Sequence, residues 1–211
     1  MSTKVRDGSY IDVEDVPNKC PICHHAIAPS YIDATRTNSD IVNLSFQCTN
    51  CNNMFIGIYR RISSSRYRIN KTWPIVPESM DFENEINEVS PMFVETYNQS
   101  IYAESNSLNQ LTGIGLRKSL EFLIKDFLIS QDNSKEDTIK NSTLSQCINN
   151  FIDDNNLVEI SKRATWLGND ETHYVRKWED KDINDLKILI KLTVNWIHNI
   201  ILKDKYIAEM S

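Results

Sequence analysis

Cys20-Pro21-Ile22-Cys23 and, after an interval of twenty-four residues, Cys48-Thr49-Asn50-Cys51 hold four of the chain's five cysteines. Each C-x-x-C pair presents two sulfurs to one ion, and two such pairs have the spacing of a tetrahedral zinc site. Four thiolates close the coordination sphere and leave no position for water or substrate, so a Zn2+ held by Cys20, Cys23, Cys48 and Cys51 is structural rather than catalytic. His24 and His25 follow Cys23 directly, but the completed pairs make them residues of the knuckle, not ligands.

The segments on either side of the second pair favour strands. Residues 54–61 (Met-Phe-Ile-Gly-Ile-Tyr-Arg-Arg) are rich in β formers, the serines at 63–65 suit a turn, and residues 66–73 alternate again. A short apolar strand precedes them at 44–47, the stretch up to Asn43 reads as a loop or broken hairpin, and residues 1–16 read as a flexible N-terminal arm. The expected unit is a zinc ribbon over residues 17–77. So small a sheet cannot stand on apolar burial alone, whereas a structural zinc is worth about 10–16 kcal/mol in finger peptides. Strand geometry puts Arg66 and Arg68 on one face with Tyr67 and Ile69 on the other. Together with Tyr59, Arg60, Arg61, Lys71 and Trp73 the hairpin interleaves cations with aromatics, a pattern suited to RNA or DNA. In the plainer reading the aromatics cover the ribbon's small core and the arginines solvate its outside.

The 211 residues are 40% hydrophobic and carry a formal charge of −6 that is unevenly spread. Residues 1–75 contain nine Lys and Arg against six acids, with no acid between Asp40 and Glu78; the remainder contains fourteen against twenty-three. Such asymmetry suggests a basic module with a partner of its own. No apolar run is long enough for a membrane span and no secretory h-region opens the chain, so a cytoplasmic protein without membrane contact is expected. In that compartment paired cysteines bind metal rather than form disulfides.

Beyond Pro74 and Pro77, residues 78–90 form an acidic linker and residues 91–211 turn helical. Ser90-Pro91 starts a helix running to Glu104. A second covers 108–129, with Leu116, Leu120, Leu123 and Phe127 on one face. Residues 131–140 read as a polar loop, 143–153 as a third helix, and 157–165 as a fourth that Gly168-Asn169 stops. The last and longest runs from Ile183 to Glu209 with Asp182 as its cap. It is apolar over more than half its circumference, which leads us to expect a homodimer. The fold class is thus α+β, a small N-terminal zinc ribbon followed by a mainly α bundle. Gly113 and Gly115 suit close helix packing, Cys147 a core position and His198 a helix surface.

Two pairs in the helical part stand four residues apart: Arg117 with Glu121, and Asn169 with His173. The order of C-P-x-C, C-x-x-C, P-M-F-V-E-T-Y-N-Q-S-I, G-L-R-K-S-L-E-F-L-I-K-D, T-L-S-Q-C-I-N-N-F and W-L-G-N-D-E-T-H resembles domain-of-unknown-function family four-one-four-five over nearly the whole chain. Its most specific parts are Arg117 and Glu121, and Gly168, Asn169 and His173. The resemblance implies an HEPN-like helical bundle that commonly dimerises, association with prokaryotic restriction and phage defence proteins, and in many HEPN proteins a metal-independent RNase. There an arginine stabilises the pentacovalent phosphate and a histidine moves the 2′-hydroxyl proton. Here the polar residue maps to Asn169 and the histidine to His173, but Gly168 occupies the arginine's position. The expectation is therefore a non-catalytic binding or assembly module with a nucleic acid or a defence-system protein as partner. The alternative is an RNase using His173 with Arg117 or Arg163.

Overall fold

The computed structural model describes residues 1–171 and 173–210. The chain divides into two compact units, Met1–Glu78 and Ser79–Ser211.

The first unit is a six-stranded sheet in the order β1-β2-β6-β5-β4-β3. Its strands are β1 (Ser2–Lys4), β2 (Tyr10–Val13), β3 (Ser30–Asn38), β4 (Ile41–Gln47), β5 (Met54–Arg61) and β6 (Arg66–Trp73). From β3 to β6 it is an antiparallel meander, and β2 joins β6 in parallel. Alternation decides the inner face: Val42, Leu44 and Phe46 of β4, Phe55 and Tyr59 of β5, and Tyr67 of β6 are all buried. The sheet curls until its edges meet, giving a near-barrel. The Arg6 N–H donates to the Ala34 carbonyl at 3.0 Å, and the Thr3 hydroxyl donates to the Tyr31 hydroxyl at 2.8 Å. Arg36 of β3 reaches across to the Tyr67 hydroxyl at 2.7 Å and the Ser9 hydroxyl at 2.7 Å. Tyr59 is fully buried, its hydroxyl donates to the Asp15 carbonyl at 2.9 Å, and burial raises its phenol well above the ordinary range.

This sheet is larger than the expected ribbon. The residues expected as a flexible arm supply β1 and β2, and Val5, Ile11 and Val13 enter the same core. Closing the curl needs these strands, since β2 covers the edge that β6 would otherwise leave open.

The second unit is helical: α1 (Asn84–Val89), α2 (Pro91–Ser105), α3 (Asn109–Gln131), a 3-10 turn (Asn133–Lys135), α4 (Glu136–Asn141), α5 (Leu144–Phe151), α6 (Asn155–Asp170) and α7 (Ile183–Glu209). The face of α3 carrying Leu116, Leu120, Leu123 and Phe127 meets Leu186, Ile190, Val194 and Ile197 of α7 in one core. Local signals set several starts. Thr143 and Gln146 form a capping box before α5, Asp182 and Asp185 form another before α7, and the Asp154 carboxylate caps α6. Ser90 stands at the start of α2, but its hydroxyl donates to Asp126 at 2.5 Å instead of capping the helix.

Three expectations fail in this unit. The linker region contains α1, which buries Ile86 in the core. The polar loop contains α4, anchored by buried Ile139. Gly168 and Asn169 do not stop α6, which runs through both to Asp170. The apolar girth of α7 is largely covered within its own unit by α1, α3 and α6; Ile188 and Leu192 stay exposed.

Gly115 illustrates how closely α2 and α3 pack: a Cβ there would lie 2.2 Å from the Ser100 hydroxyl. Gly115→Ala should lower stability by about 1–3 kcal/mol, read as a fall in the thermal midpoint of the helical signal. Adding Ser100→Ala should recover part of the loss.

Candidate functional site

The two C-x-x-C segments fold as copies of one another. In the first, the Cys20 N–H donates to the His25 carbonyl and the His24 N–H to the Cys20 carbonyl, both at 3.0 Å. In the second, the Cys48 N–H donates to the Asn53 carbonyl at 2.9 Å and the Asn52 N–H to the Cys48 carbonyl at 3.1 Å. The N–H groups of Ile22 and Cys23 approach the Cys20 Sγ at 3.4 and 3.5 Å, and those of Asn50 and Cys51 approach the Cys48 Sγ at 3.3 and 3.4 Å. Each turn closes through a left-handed residue, His24 at φ 59° and Asn52 at φ 58°. Both are residue types that tolerate this region better than most.

The two turns bring the four Sγ atoms within 4.8 Å of one another. Cys20 to Cys51 is 4.0 Å and Cys23 to Cys48 is 3.7 Å. A tetrahedral ion with metal–sulfur bonds of about 2.3 Å sets its ligands about 3.8 Å apart. The cysteines form no disulfide, and the residues present fit a metal ion. Burial pushes the Cys20 thiol up to about 11, while the His25 backbone hydrogen bond brings Cys23 down to about 5. The Cys51 backbone hydrogen bond likewise lowers Cys48. Two side chains missed in the sequence complete the shell: the Asn50 amide reaches the Cys23 Sγ at 3.6 Å and the Asn53 amide reaches the Cys51 Sγ at 3.5 Å. The cluster of asparagines around Cys51 was their signal, because amide N–H groups disperse thiolate charge.

The basic strands divide by face. Tyr59 and Tyr67 are core residues and offer no surface to a base, which corrects the expected interleaving. Arg60, Arg66, Arg68 and Lys71 point outward with Trp73, which is 57% exposed. Arg60 stands opposite Arg68, Ile58 opposite Lys71 and Ile56 opposite Trp73. A bulge between Ile58 and Tyr59 absorbs one residue of β6 and keeps all of these on the same face. Glu14, placed in the expected arm, binds both Arg66 at 2.9 Å and Arg68 at 2.7 Å. Asp40 binds Arg61 at 2.8 Å. Among the described residues Arg60 and Lys71 have no carboxylate partner.

In the helical unit Arg117, Glu121 and Asn169 converge. The Arg117 Nε donates to the Asn169 Oδ1 at 2.9 Å, and its guanidinium meets Glu121 at 3.3 Å. Lys125 and Lys118 also reach Glu121, at 3.0 and 3.7 Å. Burial opposes ionisation of Glu121, but the Lys125 hydrogen bond and the surrounding cations outweigh it and hold the carboxyl below its usual range. Gly168 is buried against Arg117, where a Cβ would come within 3.0 Å of the Arg117 Cδ. A motif arginine at 168 has no room.

His173 follows differently. Its backbone N–H bonds to the Asn169 carbonyl at 3.1 Å, while its exposed side chain lines a cavity of about 560 Å³ with Asn169, Trp166 and Trp178. Arg117 is not part of that lining. Arg163 pairs with Glu159, and Arg176 pairs with Glu171 at 2.8 Å.

Asp170 shapes the loop beyond α6. Its Oδ1 accepts the Lys177 N–H at 2.6 Å and its Oδ2 the Trp178 N–H at 2.9 Å. Burial opposes its charge, yet these bonds and Arg176 hold the carboxyl below the ordinary range.

A metal ion held by these four cysteines makes the β unit sensitive to a strong chelator: chelation, or Cys48→Ser, should lower its thermal midpoint while helical circular dichroism persists. For Asp170 the folded value lies below the unfolded value of about 3.9. Its contribution is therefore complete above about pH 4 and lost as pH falls below that. Acidification through this window should shift tryptophan emission, and Asp170→Ala should show the shifted spectrum at neutral pH.

No family model matches the chain, and neither a curated protein nor a solved structure matches it.

Proposed function

We propose that the chain is a non-catalytic nucleic-acid-binding module whose β unit is fastened by a structural zinc ion. The observation that carries this reading is the outer face of β5 and β6. Arg60 lies directly opposite Arg68, Lys71 follows on the same face, and exposed Trp73 ends the row. Arg68 is already held by Glu14, so Arg60 and Lys71 are the cations of this face left to meet a phosphate backbone. The indole then supplies a flat surface for an unpaired base, so single-stranded RNA or DNA fits better than duplex. The sequence's resemblance to proteins of prokaryotic defence agrees with such a ligand.

Absence of catalysis is the second part of the reading. Arg117 is held by Asn169 and Glu121 and is not among the residues that line the cavity with His173, which supports this reading. Four sulfurs at tetrahedral spacing favour zinc, which a metal analysis of the purified protein should return at one ion per chain.

Gel-shift titrations with single-stranded RNA, single-stranded DNA and duplex test the proposal. Single strands should bind with a salt dependence of about 0.7 per phosphate contact in log–log slope. Arg60→Glu with Lys71→Glu should abolish the shift and Trp73→Ala should weaken it at least fivefold. Unchanged binding by these variants, or no shift at low salt, would sink it. RNA cleavage that survives EDTA and is lost in His173→Ala would instead establish the RNase.

A further inference from the structure

The loop that Asp170 pins has a product that neither the metal centre nor the basic face uses. By holding the N–H groups of Lys177 and Trp178, the carboxylate fixes the indole of Trp178 beside that of Trp166 on α6. The rings are parallel to within 10°, with centroids 6.5 Å apart. Despite the pairing, Trp166 is 47% exposed and Trp178 36% exposed. Both border the 560 Å³ cavity with His173 and a second cavity of about 440 Å³ with Ile188 and Leu189.

The ligand follows from the geometry. A quaternary ammonium needs several ring faces turned toward one point, whereas parallel faces suit a flat ring. Lys177 Nζ lies over the Trp178 ring at 5.8 Å from its centroid. The Asp170 carboxylate that also lines the cavity is already taken up by the Lys177 and Trp178 N–H groups and by Arg176, so Lys177 is the cation left without a carboxylate partner among the described residues. A cation so placed disfavours positive ligands and attracts an anion. The imidazole of His173 stands on the same wall and offers a hydrogen bond to a ring edge. We infer that this cavity binds a nucleotide, its base stacked on the Trp166 and Trp178 indoles and its phosphate at Lys177. The nucleotide is either free or part of a strand, and the site is independent of the sheet face proposed above.

The full chain carrying Trp73→Phe, which silences the indole on the sheet, is titrated with adenosine 5′-monophosphate, adenosine, inorganic phosphate and a short single-stranded oligonucleotide. Tryptophan emission is followed throughout. The monophosphate should quench saturably and phosphate alone should not. Trp166→Ala should weaken binding roughly tenfold or more. Lys177→Gln, a surface change that leaves the fold intact, should weaken the monophosphate several-fold and leave adenosine unaffected. An oligonucleotide that binds much more tightly than the monophosphate identifies a strand as the source, and equal affinity identifies the free nucleotide. Arg60→Glu with Lys71→Glu should leave the quenching in place even where the gel shift is lost. No saturable quenching by either nucleotide probe, or identical titrations for Lys177→Gln and its parent, would overturn the inference.

Discussion

The sulfurs of Cys20, Cys23, Cys48 and Cys51 meet within 4.8 Å, joining the turn ahead of β3 to the turn between β4 and β5. Left as thiolates, neighbours at this spacing repel by about 1 kcal/mol each in water and about 4 kcal/mol in a protein-like dielectric. A divalent ion reverses the sign of that balance. Protons compete with it, and burial pushes the Cys20 thiol up while backbone N–H groups pull Cys48 down. The helical unit reaches stability by another route. There Leu116, Leu120, Leu123 and Ile124 of one helix are fully buried against neighbours that are apolar in turn, so ordinary burial of side chains suffices.

How much was legible in the sequence depended on whether the deciding contact was local. Strands β5 and β6 and helix α7 occupy the residues expected of them, because alternation and the Asp182 cap are written within the segments themselves. Residues 1–16 read as a flexible arm because β1 and β2 are only three and four residues long. Their order comes from partners at residues 31, 34 and 67. Helix α4 was hidden for the same reason, since Ile139 is its only buried side chain. Gly168-Asn169 is an ordinary stop signal that packing overrides, because Gly168 lets α6 lie close against Arg117, where a Cβ would come within 3.0 Å of the Arg117 Cδ.

The sites divide along the same line. Cysteine spacing announced the metal ligands, and strand alternation announced the outward arginines. It could not announce that Glu14 and Asp40 would pair with three of them, Glu14 shared between two, and single out Arg60 and Lys71. Spacing paired Arg117 with Glu121 and Asn169 with His173; it did not reveal that Asn169 meets Arg117 across two helices. A guanidinium held by an amide and a carboxylate positions helices and fixes how α3 meets α6.

The matching hydrogen bonds of the two cysteine turns have a consequence in time as well as in space. Each turn closes over six residues through its own backbone, and such loops form on a scale of tens of nanoseconds. Either one can therefore present a ready pair of sulfurs before any sheet exists. Only the joining of the two pairs spans a long loop, whose closure entropy grows as the logarithm of its length. For a metal ion to be held by all four sulfurs, two such ready halves would have to meet, and that encounter, not the shaping of either turn, would carry the entropy of the long loop.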